Sequence, residues 1–318
     1  MAQARSAFGM ACAVLMLAAF QAHADDPPAW AYPVPPPDRS DPPEHMLSLP
    51  GSTESFSSSQ LDDPFTLSDW FPEDHPPPPA MVAHGQAPSL YACGYCHLAT
   101  GAGRPENAAL AGLLPAYIVA QVKAFASGTR RSSVDRNPGA LMIELAQPAA
   151  QAPDLEEVAR YFAALPPAAR IRVVEAETIP RTEIADWVMR RGAAGGTESI
   201  GERVVEVPDD FDRFEARDPR LTYTAFVPPG SVKRGELLVK TGGGKTSGCA
   251  LCHGAELRGQ GTAPPLAGRS PTYLARQLYD MQSGARHDPG AAAMKPVVAR
   301  LGNAELVAIT AYLASLPP

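Results

Sequence analysis

The chain has 318 residues, 35 prolines and a formal net charge of -7, which gives room for about two domains of ordinary size. Residues 25–80 hold eleven acids and one Arg, whereas residues 232–318 hold ten bases and five acids. That basic half has no Lys/Arg run and no interleaved aromatics, so a nucleic-acid face is excluded in favour of a protein-docking face.

The first 24 residues, MAQARSAFGMACAVLMLAAFQAHA, place one Arg before an apolar run and a small-x-small ending at Ala22-His23-Ala24. This is the grammar of a secretory signal removed after Ala24, and it predicts export to the periplasm. No later stretch reaches the ~18 to 20 apolar residues that a membrane-spanning helix needs. Cys12 lies inside the signal and leaves with it, so four cysteines remain: Cys93, Cys96, Cys249 and Cys252.

Residues 25–80 form a Pro-rich acidic extension whose composition favours solvated or wrapping chain over regular elements. The aromatics of DWFPEDH, Trp70, Phe71 and His75, predict that part of it anchors on the folded body.

Residues 81–167 and 232–318 read as one fold written twice. Leu110-Ala111-Gly112 matches Leu266-Ala267-Gly268, Pro115 matches Pro271, Gln121 matches Gln277, and Ser127-Gly128 matches Ser283-Gly284. PAYIVAQVKAF and PTYLARQLYDM predict a helix in each copy with Pro at its first position. DLEEVARYFAALPP and NAELVAITAYLASLPP predict amphipathic final helices, with Asp154 and Asn303 as N-caps, Glu157 completing a capping box in the first copy alone, and Pro pairs as stops. Residues 168–231 are a connector, with IRVVEAETI and ERVVEVP as β-leaning runs and IADWVMRRG as a turn of helix.

Each copy carries one Cys-x-x-Cys-His unit, CGYCH at Cys93 to His97 and CALCH at Cys249 to His253. Two thiols at this spacing add to the vinyl groups of a haem, and the adjacent His places an imidazole nitrogen on its iron. Zinc sites bring two such pairs about 12 to 20 residues apart, but the units here are far separated and each has its own His. A redox dithiol does not require the His and belongs beside a βαβ pattern that is missing. A structural disulfide, which an oxidising compartment favours, also leaves the His unexplained.

The sixth position of each iron decides between carrier and enzyme. Met142, 45 residues after His97, and Met294, 41 after His253, recur in both copies before the last helix and are the candidate axial ligands. Met281 matches Phe125, which cannot bind iron, and sits on an apolar stripe as core. His287 matches Arg131 and reads as surface. Met189, His45, His75 and His84 lie outside the two pockets.

With these residues in place, each copy resembles a class I cytochrome c, and the chain as a whole the tandem dihaem cytochromes c of bacterial periplasms. The resemblance implies an all-α fold of two tandem class I domains flanked by the Pro-rich extension and a partly β connector. It implies two covalently attached haem c groups, one on Cys93 and Cys96 with His97 and Met142, the other on Cys249 and Cys252 with His253 and Met294. The expected role is a single-electron carrier between redox protein partners: a periplasmic dehydrogenase or respiratory complex, and a terminal oxidase or another cytochrome. In that family a proline eleven or twelve residues after the His offers its carbonyl to the imidazole. The second copy has Pro264-Pro265 there; the first has Ala108-Ala109, leaving the bond that orients His97 to another carbonyl. The alternative is a dihaem peroxidase, which needs one iron without its methionine. A thiosulfate dehydrogenase with Cys-ligated iron would need a cysteine beyond the four used in attachment. A haem-free interaction protein would be colourless.

Overall fold

The structure, a computed structural model, describes residues 26–36, 43–136 and 138–318; the signal segment lies outside them. Helices dominate the two copies of the repeat. In the first they are Ala80–Ala83, Cys93–His97, Pro115–Ala126, Pro138–Ala149 and Leu155–Ala164. In the second they include Ser231–Thr241, Ala250–His253, Pro271–Ser283 and Asn303–Ser315. Pro115 and Pro271 stand in the first turn of their helices, where the missing N–H would have had no partner anyway.

The final helix of the first copy buries a stripe, as expected, whereas that of the second is not amphipathic: it is buried without a break from Glu305 to Ala311, between the rest of its copy and the connector sheet. Leu155, Val158 and Phe162 are buried in the first, Leu306, Ile309 and Leu313 in the second. The N-cap expectations are corrected. Asp154 takes the N-cap position but its side chain makes no capping bond. The capping contact falls in the second copy, where Glu305 accepts from the Gly302 N–H at 3.0 Å. Asn303 is not a cap, because it is recruited elsewhere: it accepts from Trp30 Nε1 at 2.8 Å and donates to the Glu202 carbonyl at 2.6 Å.

The repeat is visible in the backbone as well as in the side chains. Left-handed φ angles recur at Gly103 and Gly259, at Gly112 and Gly268, and at Gly128 and Gly284. At two further positions a leucine holds this conformation against a glycine in the other copy: Leu98 (φ 63°) against Gly254, and Leu257 (φ 59°) against Gly101. Both leucines are buried, and burial of a whole side chain, about 1.5–3 kcal/mol, is of the size needed to offset the ~1–3 kcal/mol cost of a non-glycine residue in so sparsely populated a conformation, which for Leu98 combines φ 63° with ψ 156°.

Residues 168–231 carry a three-stranded sheet in the order Ile171–Glu175, Tyr223–Val227, Val205–Pro208, parallel across the first pair and antiparallel across the second. Ala225 and Val227 meet Val307 and Ala311 of the final helix, so the sheet rests on the second copy. IADWVMRRG does not form the expected helical turn. Thr182–Ala185 and Val188–Arg191 pair as a hairpin turning at Asp186, whose φ is 51°, the left-handed geometry that a tight hairpin turn needs. With further strands at Met46–Ser48 and Ser55–Ser57, the chain is mainly helical rather than all-α.

The extension is seated at both ends. Ala31 and Tyr32 are buried in the core of the second copy. Trp70 and Phe71 are buried beside Ala216, with Trp70 Nε1 donating to the Ala216 carbonyl at 2.6 Å. His75 is also buried, its Nε2 3.2 Å from Asp69 and its Nδ1 2.9 Å from the Pro76 carbonyl and 3.2 Å from the Tyr161 hydroxyl. The two copies meet through matched residues: Arg130 donates to Tyr273 and Gln277, and Arg286 donates to Tyr117 and Gln121.

Candidate functional site

In both copies the attachment unit ends a short helix and is followed by a tight loop that returns to the histidine. Gly103 N–H donates to the His97 carbonyl at 3.0 Å, and Gly259 N–H to the His253 carbonyl at 2.9 Å. A Cβ on Gly103 would stand 2.6 Å from the Ala108 carbonyl, so a side chain there would push out the group that orients the imidazole.

His97 Nδ1 lies 2.8 Å from the Ala108 carbonyl oxygen and His253 Nδ1 lies 2.7 Å from that of Pro264. The bond to His97 therefore comes from the position equivalent to the proline and not from elsewhere. The carbonyl supplies the interaction; the proline ring is dispensable. With Nδ1 donating to a carbonyl, Nε2 is the nitrogen with a free lone pair for a metal. Burial holds both imidazoles below the usual histidine range, which keeps them in the neutral form that binds metal.

The four cysteines are unpaired thiols. Burial pushes Cys93 up to about 12 and Cys249 up to about 11, and raises Cys96. These three shifts run opposite to the lowered pKa of a reactive redox thiol. Among the described residues no three His, Cys, Asp or Glu side chains converge as a metal cluster, so the two Cys pairs do not meet in one zinc site.

One cleft brings Cys96, His97 and Met142 together between walls of Leu110, Ile118 and Leu145. A thiol, an imidazole and a thioether in one lining with apolar side chains suit an iron porphyrin. Arg276 and Asp280 of the second copy also line this cleft. Met294 and Cys249 both border the core of the second copy, where Met294 precedes the helical turn Lys295–Val298. Met281 is buried in that same core and His287 is exposed. Met189 is half-buried on the hairpin, and His45 and His84 are exposed.

Sequence reasoning missed two buried carboxyls that tie the parts of the chain together, of which Asp280 lines the cleft and Glu206 lies outside it. Asp280, buried, accepts from the Tyr32 hydroxyl at 2.7 Å and from the Ser133 N–H and hydroxyl at 2.8 Å each. Glu206 of the connector accepts from Ser270 at 2.7 Å and from the Thr272 hydroxyl at 2.5 Å. Burial raises the pKa of both carboxyls. An unmatched acid in an apolar stretch, Asp280 against Ala124 of the first copy, is the one signal that pointed to them.

Residues 232–317 match the family model Cytochrome c. The chain is 31% identical over 138 residues to a cytochrome c4 of Azotobacter vinelandii, a match covering 38% of this chain and 65% of that protein. It is 42% identical over 71 residues to a thiosulfate dehydrogenase electron acceptor of Stutzerimonas stutzeri (strain A1501), covering 22% of this chain and 32% of the relative. The matches thus span less than two thirds of those relatives. The solved structure of reduced recombinant cytochrome c4 from Pseudomonas stutzeri aligns with a TM-score of 0.46 at 22% identity, over 71% of this chain and 93% of that one. The repeated attachment unit, the cytochrome c domain matched over residues 232–317 and the relatives named cytochrome c4 support a tandem dihaem class I cytochrome c with two covalently attached haem c groups.

Proposed function

We propose that the protein is a periplasmic carrier of single electrons with two closed haem sites, one in residues 81–167 and one in residues 232–318, joined by the part-β connector of 168–231. Cys93 and Cys96 would tether the first haem, with His97 and Met142 holding its iron; Cys249 and Cys252 would tether the second, with His253 and Met294 holding its iron. A bound haem supplies one-electron chemistry at iron, and a methionine in the sixth position closes the iron and raises its potential. The chain's own residues bind, orient and shield. The Ala108 and Pro264 carbonyls fix the imidazoles, and such fixing raises ligand basicity. Leu110, Ile118 and Leu145 exclude water from the first cleft, which favours the reduced, less charged state.

The observation that carries this reading is the meeting of His97 and Met142 in one apolar cleft beside a thiol pair that recurs with its own His in the other copy. The partners that fit are a periplasmic dehydrogenase or respiratory complex as donor and a terminal oxidase or another cytochrome as acceptor. A relative named as an electron acceptor of a dehydrogenase supports the donor side. Haem counting by mass, with absorption and magnetic spectra of both oxidation states, tests the assignment. Two low-spin His/Met centres are expected; one high-spin centre with peroxide turnover refutes it in favour of a peroxidase.

A further inference from the structure

The two attachment units are equivalent in sequence register but not in what covers them. Gly94, Tyr95 and Cys96 of the first correspond to Ala250, Leu251 and Cys252 of the second. Gly94 is buried and Tyr95 and Cys96 are half-buried, whereas Cys252 is exposed and Leu251 is 76% exposed. A leucine that bare, beside the thiol that holds the prosthetic group, is unusual among apolar surface residues.

The cover over the first unit is the acidic extension. Ala92 N–H donates to the Pro64 carbonyl at 2.9 Å, Gly85 N–H to the Phe65 carbonyl at 2.8 Å, and Leu67 N–H to the Ala83 carbonyl at 2.9 Å. The Leu67 side chain fills the space in which Gly94 would carry a Cβ. Phe65 packs edge-on against Tyr91, 5.3 Å between centroids. Arg217 of the connector lies 3.8 Å over the Tyr95 ring and donates to the Leu61 and Tyr95 carbonyls.

The second unit has a true helix, Ser231–Thr241, where the first has the single turn Ala80–Ala83, and among the described residues Cys252 and Leu251 stay exposed. Cys249 N–H donates to the Val239 carbonyl at 2.7 Å, which puts Lys240 beside the thiols. Charge separates the units further. Residues 232–260 carry Lys233, Arg234, Lys240, Lys245 and Arg258 against Glu236 and Glu256. Residues 61–98 carry Asp62, Asp63, Asp69, Glu73 and Asp74 with no Lys or Arg.

We propose that electrons pass between this protein and its partner through the second attachment unit alone, on a face centred on Leu251 and Cys252 and rimmed by Lys240, Lys245 and Arg258, and that this face docks an acidic redox protein. The inference rests on the carrier reading above. One electron moves per encounter, from reduced partner to ferric haem, with no proton or atom transferred; the first haem is filled through the second. An acidic partner is steered to the basic rim and repelled from the acidic cover, and both effects weaken as salt rises.

The test maps where an anion lands on the reduced, haem-loaded full chain. Hexacyanochromate(III), a redox-inert paramagnetic trianion, is expected to broaden the amide signals of residues 245–252 and to spare those of residues 94–96. Equal broadening of both units, or broadening of the first, overturns the proposal, as does a stable dimer occupying the second face in sedimentation. A kinetic arm uses stopped-flow oxidation by ferricyanide at low ionic strength. Leu251→Glu, a change at an exposed position that leaves the core intact, is expected to slow the fast phase about 10-fold, while Met46→Glu in the extension leaves it unchanged. An unaltered rate in Leu251→Glu overturns the proposal. The haem spectra report separately on the carrier reading, so failure of the face and failure of the ligation are told apart.

Discussion

Gly235 lies midway along the helix Ser231–Thr241, where it crosses the final helix Asn303–Ser315. A Cβ at this position would run into the Ala308 carbonyl oxygen and come within 2.6 Å of the Ala308 carbonyl carbon and 2.7 Å of the Tyr312 Cβ. Carbon atoms rest about 3.5–4.0 Å apart, so Gly235→Ala requires the two helices to part by roughly 1 Å. The obstacle is backbone, which cannot swing aside as a long side chain can. Overfilling a close contact costs about 1–3 kcal/mol, and the obstruction here belongs at the upper end of that range. Against it stands the roughly 1 kcal/mol by which Ala outranks Gly as a helix former. The net expectation is a loss of about 2 kcal/mol, seen as a lower urea midpoint with an unchanged slope in circular dichroism of the haem-loaded protein. A stability equal to or above that of the parent chain would refute the close crossing of these helices.

Met142→Ala and Met294→Ala are each expected to remove one low-spin His/Met signal from the magnetic spectrum and leave the other; an unchanged spectrum in either refutes that ligand. Trp70→Phe keeps the ring and strands the buried Ala216 carbonyl that Trp70 Nε1 holds, at a cost of about 1–3 kcal/mol, measured by denaturant unfolding. Arg286→Met removes a buried guanidinium that serves Tyr117, Gln121, Gln277 and Asp288 and leaves the buried Asp288 without its ion-pair partner, for an expected loss of about 3–5 kcal/mol in the same assay. The hydrogen bond to Asp69 raises the His75 pKa above its ordinary value. The stabilisation it contributes is therefore complete below about pH 6.5, the unfolded value, and fades as pH climbs through the higher folded value. Amide protection at Phe71–His75, taken relative to the base-catalysed intrinsic exchange rate at each pH, should fall over that interval in the parent and stay flat in His75→Gln.

The attachment units and the paired helices were legible because each is a local signal: two thiols and an imidazole in five residues, or Leu155, Val158 and Phe162 spaced to one face. The match between copies added register, which is why Met281 could be set aside as core. The extension was legible only in part. Trp70 and Phe71 announced an anchor, but Tyr32 stands with Trp30 in a proline-rich run, and its partner Asp280 is 248 residues away. No local pattern encodes such a pairing. The IADWVMRRG segment misled because apolar residues three and four apart suit a helix, while its pairing across Asp186 is decided by a turn. Leu98 and Leu257 hide in the same way, since their left-handed backbone is sustained by burial that only the folded state supplies.

Tyr32 comes early in the sequence, yet most of its seat is built from far along the chain: Arg276, Asp280 and the core around Tyr279. During synthesis those walls appear last. The opening residues of the chain must therefore stay unhoused while nearly everything else is made, and the ordering of the amino terminus becomes a late report that the carboxyl-terminal half has been completed. Protease sensitivity near Tyr32, followed in time as the protein matures, would read that report directly.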